Sequence, residues 1–86
     1  GLKLPAAVLL DNVRSMYNVG AFFRAADGVG LHCLHLCGIT AYPPKKQITK
    51  TALGAEDYVP WEHHANALEA ARALQQAGYE IAAVET

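Results

Sequence analysis

The sequence predicts an α/β domain built on a parallel, Rossmann-like sheet with flanking helices, and three observations indicate this class. The run from Ala6 to Leu10 is apolar without alternation, which is typical of a strand covered on both faces. A helical pattern of apolar residues follows, and strands and helices keep alternating along the 86 residues. Such alternation favours parallel strands joined by right-handed crossovers. This length allows one domain, placed at residues 1–86.

The first helix is predicted from apolar residues at i, i+3, i+4 and i+7, with Asn18 as its N-cap and Gly28 just beyond its end. The apolar positions are Val19, Phe22, Phe23 and Ala26. Gly20 and Arg24 lie one turn apart on roughly the opposite side of the helix. A glycine there permits close approach of another backbone, and Arg24 should point away from the core.

The remaining elements follow from turn residues and apolar runs. The predicted second, third and fourth strands cover residues 31–37, 59–61 and 79–85. A short helix is predicted over residues 48–55, closed by Gly54. Asn66 and Glu69 resemble a capping box at the start of a helix that runs to Ala77, which leaves His63 and His64 in the loop before it.

The net charge of −1 conceals two halves of opposite sign. Residues 1–50 carry six basic and two acidic side chains, whereas residues 51–86 carry one basic and six acidic ones. The basic residues of the first half are Lys3, Arg14, Arg24, Lys45, Lys46 and Lys50. A polyanion would meet this half, although chance clustering of surface charges would give the same pattern.

Composition also disfavours several kinds of protein. No apolar run approaches the roughly 20 residues that span a bilayer, and the first residues lack a signal-peptide core, so we expect a cytoplasmic protein without a membrane partner. Two cysteines are too few for a disulfide scaffold. Cys33, His35 and Cys37 would project about 7 Å apart along one strand, so we interpret the cysteines as core residues and predict no metal site.

The densest group of unusual residues lies where the first strand ends and the first helix begins. Its members are Asn12, Arg14, Asn18, Gly20 and Arg24. Ligands of open α/β sheets bind at the carboxyl ends of the strands, so we place the candidate site here. The helix N-terminus would favour an anion, and a merely solvated surface arginine is the alternative interpretation of Arg24.

Residues 10–26, with the sequence LDNVRSMYNVGAFFRAA, followed by Gly28-Val29-Gly30, closely resemble motif 1 of the SpoU (TrmH-type) RNA 2′-O-ribose methyltransferases. The diagnostic core of that motif is Asn-Val-Gly-x-x-x-Arg. Residues 50–56 and Val59-Pro60 resemble the family's segment before its third strand, where Leu53 interrupts a run of small residues. The resemblance extends, in order, over essentially the whole chain.

This resemblance implies the N-terminal, substrate-facing half of a trefoil-knotted SPOUT domain. The family uses S-adenosylmethionine to methylate a ribose 2′-OH of tRNA or rRNA and acts as a homodimer, so RNA and not DNA is the expected partner. Its motifs 2 and 3, which form most of the knotted cofactor pocket, have no counterpart in this sequence, so we expect the knot-forming half to be absent and the chain to be inactive alone. One alternative is a non-catalytic module that dimerises or binds RNA. The other is an unrelated α/β domain that binds a phosphorylated ligand, against which motif 1 argues.

The resemblance also implies residue roles. Arg24 matches the catalytic arginine, and Asn18 matches the asparagine that orients it. A guanidinium has a pKa above about 12, so we favour stabilisation of the developing 2′-alkoxide and its neighbouring phosphate over a role as base. The expected phosphate contacts are Arg14, Lys45, Lys46 and Lys50. The end of the fourth strand borders the cofactor pocket in the family, which places Val84 and Glu85 beside S-adenosylmethionine.

Overall fold

A computed structural model of the chain describes residues 6–85, and it confirms the parallel α/β sheet. The strands are β1 (Ala6–Asp11), β2 (Leu34–Cys37), β3 (Trp61–His64) and β4 (Glu80–Glu85). The helices are α1 (Met16–Val29), α2 (Lys46–Ala52) and α3 (Ala67–Gln76), and a 3₁₀ turn covers Ala55–Asp57. All strands are parallel, in the order β3-β2-β1-β4. Lys3 and the outermost positions of the predicted domain 1–86 lie outside the described residues.

Both faces of β1 are covered: successive residues point to opposite sides of the sheet, and each side packs against helices. Leu10 packs in the larger core with Phe23 of α1 and Ile48 of α2, whereas Leu9 packs on the other face with Ala70 of α3. Leu9 and Leu10 are at most 1% exposed. Burial on both sides is therefore the reason that β1 is apolar without alternation.

Helix α1 is longer than predicted at both ends. Ser15, and not Asn18, is its N-cap, since the Ser15 hydroxyl accepts a hydrogen bond from the Asn18 backbone N–H at 3.1 Å. Gly30, and not Gly28, takes the left-handed conformation at the other end, with φ of 69°. The Leu31 N–H then donates to the Ala26 carbonyl at 2.9 Å. Leu31 thus belongs to the helix cap, which is why β2 starts at Leu34 and not at residue 31.

Strand β3 lies further along the chain than predicted. The Pro60 carbonyl accepts a hydrogen bond from the Leu34 N–H at 2.9 Å, and regular pairing starts only at Trp61. His63 and His64, expected in the following loop, therefore belong to the strand.

The other helices follow the predictions more closely. Helix α2 ends at Ala52, and its C-cap is Leu53 with φ of 53°, followed by Gly54 with φ of 90°, so both residues have positive φ. The cap of α3 is confirmed, because Asn66 Oδ1 accepts a hydrogen bond from the Glu69 N–H at 3.1 Å. Strand β4 begins one residue later than predicted, at Glu80. Within residues 6–85, no helix combines the length and the apolar character needed to cross a membrane.

Candidate functional site

Gly20 allows α1 and α2 to pack in direct contact. It is buried, and a β-carbon there would collide with the Thr51 hydroxyl and the Ile48 carbonyl oxygen. The Thr51 hydroxyl also donates a hydrogen bond to the Tyr17 carbonyl at 2.7 Å, which joins the two helices at this point. The predicted close approach of a backbone at Gly20 is confirmed, and the approaching backbone is that of α2. The prediction that Gly20 lies on the side of α1 away from the core is wrong, because α2 covers that side and buries it.

This packing brings Arg24 and Lys50 to one cleft. The cleft is open, has a volume of about 630 Å³, and is lined by Ala21, Arg24, Ala25, Lys50, Thr51 and Leu53. Both cationic side chains are exposed, and no acidic residue is among those that line the cleft. The site therefore offers two positive charges, on two helices, to a negatively charged ligand.

The other predicted phosphate contacts surround this cleft less closely. Lys45 and Lys46 are exposed at the start of α2, and Lys46 lies one turn before Lys50, on the same side of the helix. Arg14 is exposed in the loop before α1 and does not line the cleft. The structure thus groups three lysines on α2 and its cap, with Arg14 apart from them.

Asn18 and Arg24 do not face the same way. They are six residues apart in α1, which separates their directions by about 120° around the helix. Among the hydrogen bonds of residues 6–85, none joins the Asn18 side chain to Arg24. Orientation of Arg24 by Asn18 stays a prediction.

Two polar side chains fix the loop that leads into α1. Asn12 has a left-handed backbone with φ of 54°, and its Oδ1 accepts a hydrogen bond from the Ile39 N–H at 3.0 Å. The Thr40 hydroxyl donates to the Leu10 carbonyl at 3.0 Å and accepts from the Val13 N–H at 2.9 Å. These bonds join the carboxyl ends of β1 and β2, so α1 starts from a fixed position.

We expect Thr40→Val to lower the free energy of unfolding by about 1–3 kcal/mol. Thr40 is 1% exposed, and valine would leave the buried Val13 N–H without a partner, at a cost of roughly 1–3 kcal/mol, whereas the Leu10 carbonyl keeps its place in the pairing of β1 with β2. Equilibrium urea unfolding measures the change. The matched control is Thr49→Val, because Thr49 is exposed and its hydroxyl donates only to the carbonyl of Lys45, the N-cap of the same helix. Equal losses in the two variants would contradict a special role for Thr40.

The carboxyl end of β4 holds Val84 and Glu85, the two predicted cofactor contacts, which pair with Leu10 and Asp11 of β1. Val84 is half-buried and lines a cleft of about 300 Å³ between α1 and β4, whose lining residues are all apolar. Glu85 is exposed, and its carboxylate makes no hydrogen bond or ion pair within residues 6–85. This edge offers an apolar wall without converging polar partners.

A second polar cluster lies between β2 and β3. His35 is 4% exposed, and its Nδ1 lies 2.9 Å from His64 Nε2 and 3.8 Å from Glu62 Oε2. Burial lowers the pKa of His35, His64 lowers it further, and Glu62 opposes the shift. Burial raises the pKa of Cys33, which lies beside this group. The sequence argument considered ligands along one strand only, so it missed the side chains that β3 contributes.

The two cysteines differ in burial. Cys37 is a core residue on the α3 face, as predicted, and its pKa is raised by burial and by Asp11. Cys33 is only partly buried, because it lies before β2 begins.

Known proteins resemble the chain along nearly all of its length. A family model described as the SpoU rRNA Methylase family matches residues 5–86. A 23S rRNA (guanosine-2′-O-)-methyltransferase RlmB from Burkholderia sp is 35% identical over 82 residues, which are 90% of this chain and 31% of that protein. The RlmB of Nitrosomonas europaea is 35% identical over 79 residues, or 91% of this chain and 30% of that protein. The RlmB of Pectobacterium atrosepticum is 31% identical over 75 residues, or 87% of this chain and 31% of that protein. The chain thus spans less than a third of the length of these relatives.

Proposed function

The chain belongs to the SpoU rRNA methylase family, and from this premise we propose that it is the substrate-facing part of an enzyme that methylates a ribose 2′-OH of ribosomal RNA. The observation that carries the proposal is the cleft between α1 and α2 that both Arg24 and Lys50 line. Arg24 is the last residue of the Asn-Val-Gly-x-x-x-Arg motif, which lies on α1. The relatives named as 23S rRNA guanosine methyltransferases favour a guanosine of large-subunit rRNA as the target.

Arg24 is suited to stabilise charge at the reacting ribose. A 2′-hydroxyl gains negative charge as it loses its proton and attacks a methyl group, and the neighbouring phosphate carries a full negative charge. The planar guanidinium has five N–H donors, so it can donate to both oxygens at once. Lys50 lies in the same cleft and can neutralise a further phosphate.

We propose S-adenosylmethionine as the methyl donor, which supplies an electrophilic methyl group when it is bound. The described residues do not fit this cofactor by themselves. The cleft that Val84 lines is apolar, whereas the cofactor carries a sulfonium, an amino acid group and a ribose that need polar partners. Val84 and Glu85 are therefore proposed only as one border of the cofactor site. We also propose that the protein acts as a homodimer in the cytoplasm.

The test is methyl transfer by the full-length protein. Unmodified 23S rRNA is incubated with the protein and S-adenosylmethionine labelled in the methyl group, and the product is hydrolysed in alkali. A methylated 2′-oxygen cannot attack the adjacent phosphate, so the label should remain in an alkali-resistant dinucleotide. RNA that is bound without incorporation of label would favour the non-catalytic module, and label in an alkali-sensitive product would indicate methylation of a base.

We expect Lys50→Ala to weaken RNA binding at low salt and to make the affinity less dependent on salt concentration. Loss of one phosphate contact should reduce the slope of log affinity against log salt by about 0.7–0.9. Filter binding at several salt concentrations measures this slope. Arg72→Ala is the control, since Arg72 is exposed on α3, on the opposite face of the sheet. If both variants change the slope equally, the α2 lysines are not the RNA contact.

A further inference from the structure

The polar cluster between β2 and β3 is arranged by strand pairing. His35 pairs with Glu62 in the parallel register, and His64 lies two residues beyond Glu62, on the same side of β3. All three line a cleft that α3 closes with Ala70 and Leu74. The cluster therefore lies on the α3 face of the sheet, opposite the cleft of Arg24 and Lys50.

The three side chains converge at metal-ligand distances. His35 Nδ1 lies 2.9 Å from His64 Nε2 and 3.8 Å from Glu62 Oε2, and His64 Nε2 lies 3.6 Å from the same oxygen. The point equidistant from these three atoms is about 2.0 Å from each, and zinc binds histidine nitrogen and carboxylate oxygen at about 2.0–2.2 Å. One ion placed there would contact all three atoms at bonding distance.

A fourth donor lies near two of these three side chains, His35 and Glu62. The Cys33 sulfur, the ligand atom of His35 and that of Glu62 all lie within 4.8 Å of one another. Cys33 is partly buried and just precedes β2. We propose that His35, Glu62, His64 and Cys33 bind one zinc-type divalent ion that ties β3 to β2.

The donor set selects the class of metal. Two imidazoles, one carboxylate and one thiolate suit tetrahedral Zn²⁺, and they exclude Mg²⁺ and Ca²⁺, which take oxygen ligands. The thiol of Cys33 loses its proton to solvent when it coordinates, and each imidazole keeps its proton on the nitrogen that faces away from the ion. Access is open, since the Glu62 side chain is 63% exposed and a second cleft of about 180 Å³ is lined by Cys33, His35 and Glu62.

We assign the ion a structural role. Among the described strands, β3 is at one edge of the sheet and pairs only with β2. Two ligands lie on β3, one lies on β2, and Cys33 directly precedes β2, so the ion fastens this edge without touching the Arg24 cleft. Loss of the ion should loosen β3 without changing the methyl-transfer chemistry at the cleft between α1 and α2. The two proposals can therefore fail independently.

The test uses full-length protein stripped of metal with a chelator. Zn²⁺ is titrated in competition with a chromophoric chelator, and Co²⁺ is bound in parallel to report coordination by its visible spectrum. Parent protein and His63→Ala should bind the same number of Zn²⁺ ions, because the exposed His63 ring bonds to the Gly38 carbonyl, outside the cluster. His64→Ala should bind one ion fewer, or bind it with an affinity reduced more than about 100-fold. Loss of a residue that only hydrogen-bonds to a metal ligand reduces metal affinity by roughly 10- to 100-fold, so a larger loss identifies His64 as a ligand itself.

Two further variants keep the proposal falsifiable if His64→Ala unfolds. Glu62→Gln removes only a charge at an exposed position and should weaken binding without unfolding the protein. Cys33→Ser should abolish the sulfur-to-cobalt charge-transfer band and retain the weaker cobalt bands. Zn²⁺ should raise the thermal midpoint of the parent and of His63→Ala. Unchanged affinity in Glu62→Gln and His64→Ala, or no Zn²⁺ binding by the parent, would overturn the site.

Discussion

Replacing Arg24 with alanine should lower the rate of methyl transfer by a factor on the order of 10² to 10³, the scale of losing one donor to a developing oxyanion. The side chain is exposed in the cleft that it shares with Lys50, so its removal leaves no cavity in the core. Stability should therefore change by less than about 0.5 kcal/mol. Single-turnover transfer to RNA measures the rate, and filter binding should show a much smaller loss of affinity.

Two controls separate charge from geometry at this position. Arg24→Lys keeps the positive charge but loses the fork of N–H donors, so it should recover RNA affinity and little of the rate. Arg72→Ala removes an exposed arginine from α3 and should leave both quantities unchanged. An Arg24→Ala enzyme that methylates at the parental rate would remove Arg24 from the mechanism. A loss confined to RNA affinity would make it a phosphate anchor.

Replacing Phe23 with alanine should destabilise the protein by about 3–5 kcal/mol. Its ring is completely buried in the core that α1 and α2 form over Leu10 and Leu34. Truncation removes the transfer free energy of the ring and leaves a cavity that rigid neighbours fill only in part. Equilibrium urea unfolding gives the change in free energy.

The adjacent phenylalanine provides the matched comparison. The amphipathic pattern places Phe22 and Phe23 in the core alike, but Phe22 is only half-buried and lines the apolar cleft between α1 and β4. Phe22→Ala should therefore cost roughly 1–2 kcal/mol, in proportion to the smaller area withdrawn from water. If Phe22→Ala were the more damaging change, α1 would be rotated from the orientation described.

The sheet was predictable from local patterns, and the element boundaries were less so. The apolar run of β1 and the cap of α3 each depend on residues a few positions apart, which a sequence displays directly. Ser15 and Asn18 are both good N-caps three residues apart, and the choice depends on where the backbone leaves β1. The start of β2 likewise depends on Leu31, which is not part of the strand because its N–H bonds to the end of α1.

The candidate site divides in the same way. Arg24 and Gly20 could be identified as site residues from the sequence, because both belong to motif 1, a short segment with a recognisable spacing. The partner of Gly20 was not visible, since Thr51 is far away in sequence and lies in a stretch without periodicity. Thr40 and the pairing of His35 with Glu62 were missed for that reason as well: the signal is in the sheet register and not in spacing along the chain.

The strand order also constrains how the domain is made. β1 pairs with β4 along its full length, and Ala6 lies opposite Glu80, about 74 positions away, so this pairing closes a long loop before it gains any contact. During synthesis β1 and β2 can meet early, but the other edge of β1 waits until α3 has crossed the sheet and β4 has left the ribosome. Until then an unpaired row of N–H and C=O groups, beside an apolar face, is exposed to other nascent chains. The nascent chain is therefore most vulnerable to aggregation in this interval, and slower translation of residues 65–85 should reduce the yield of folded protein.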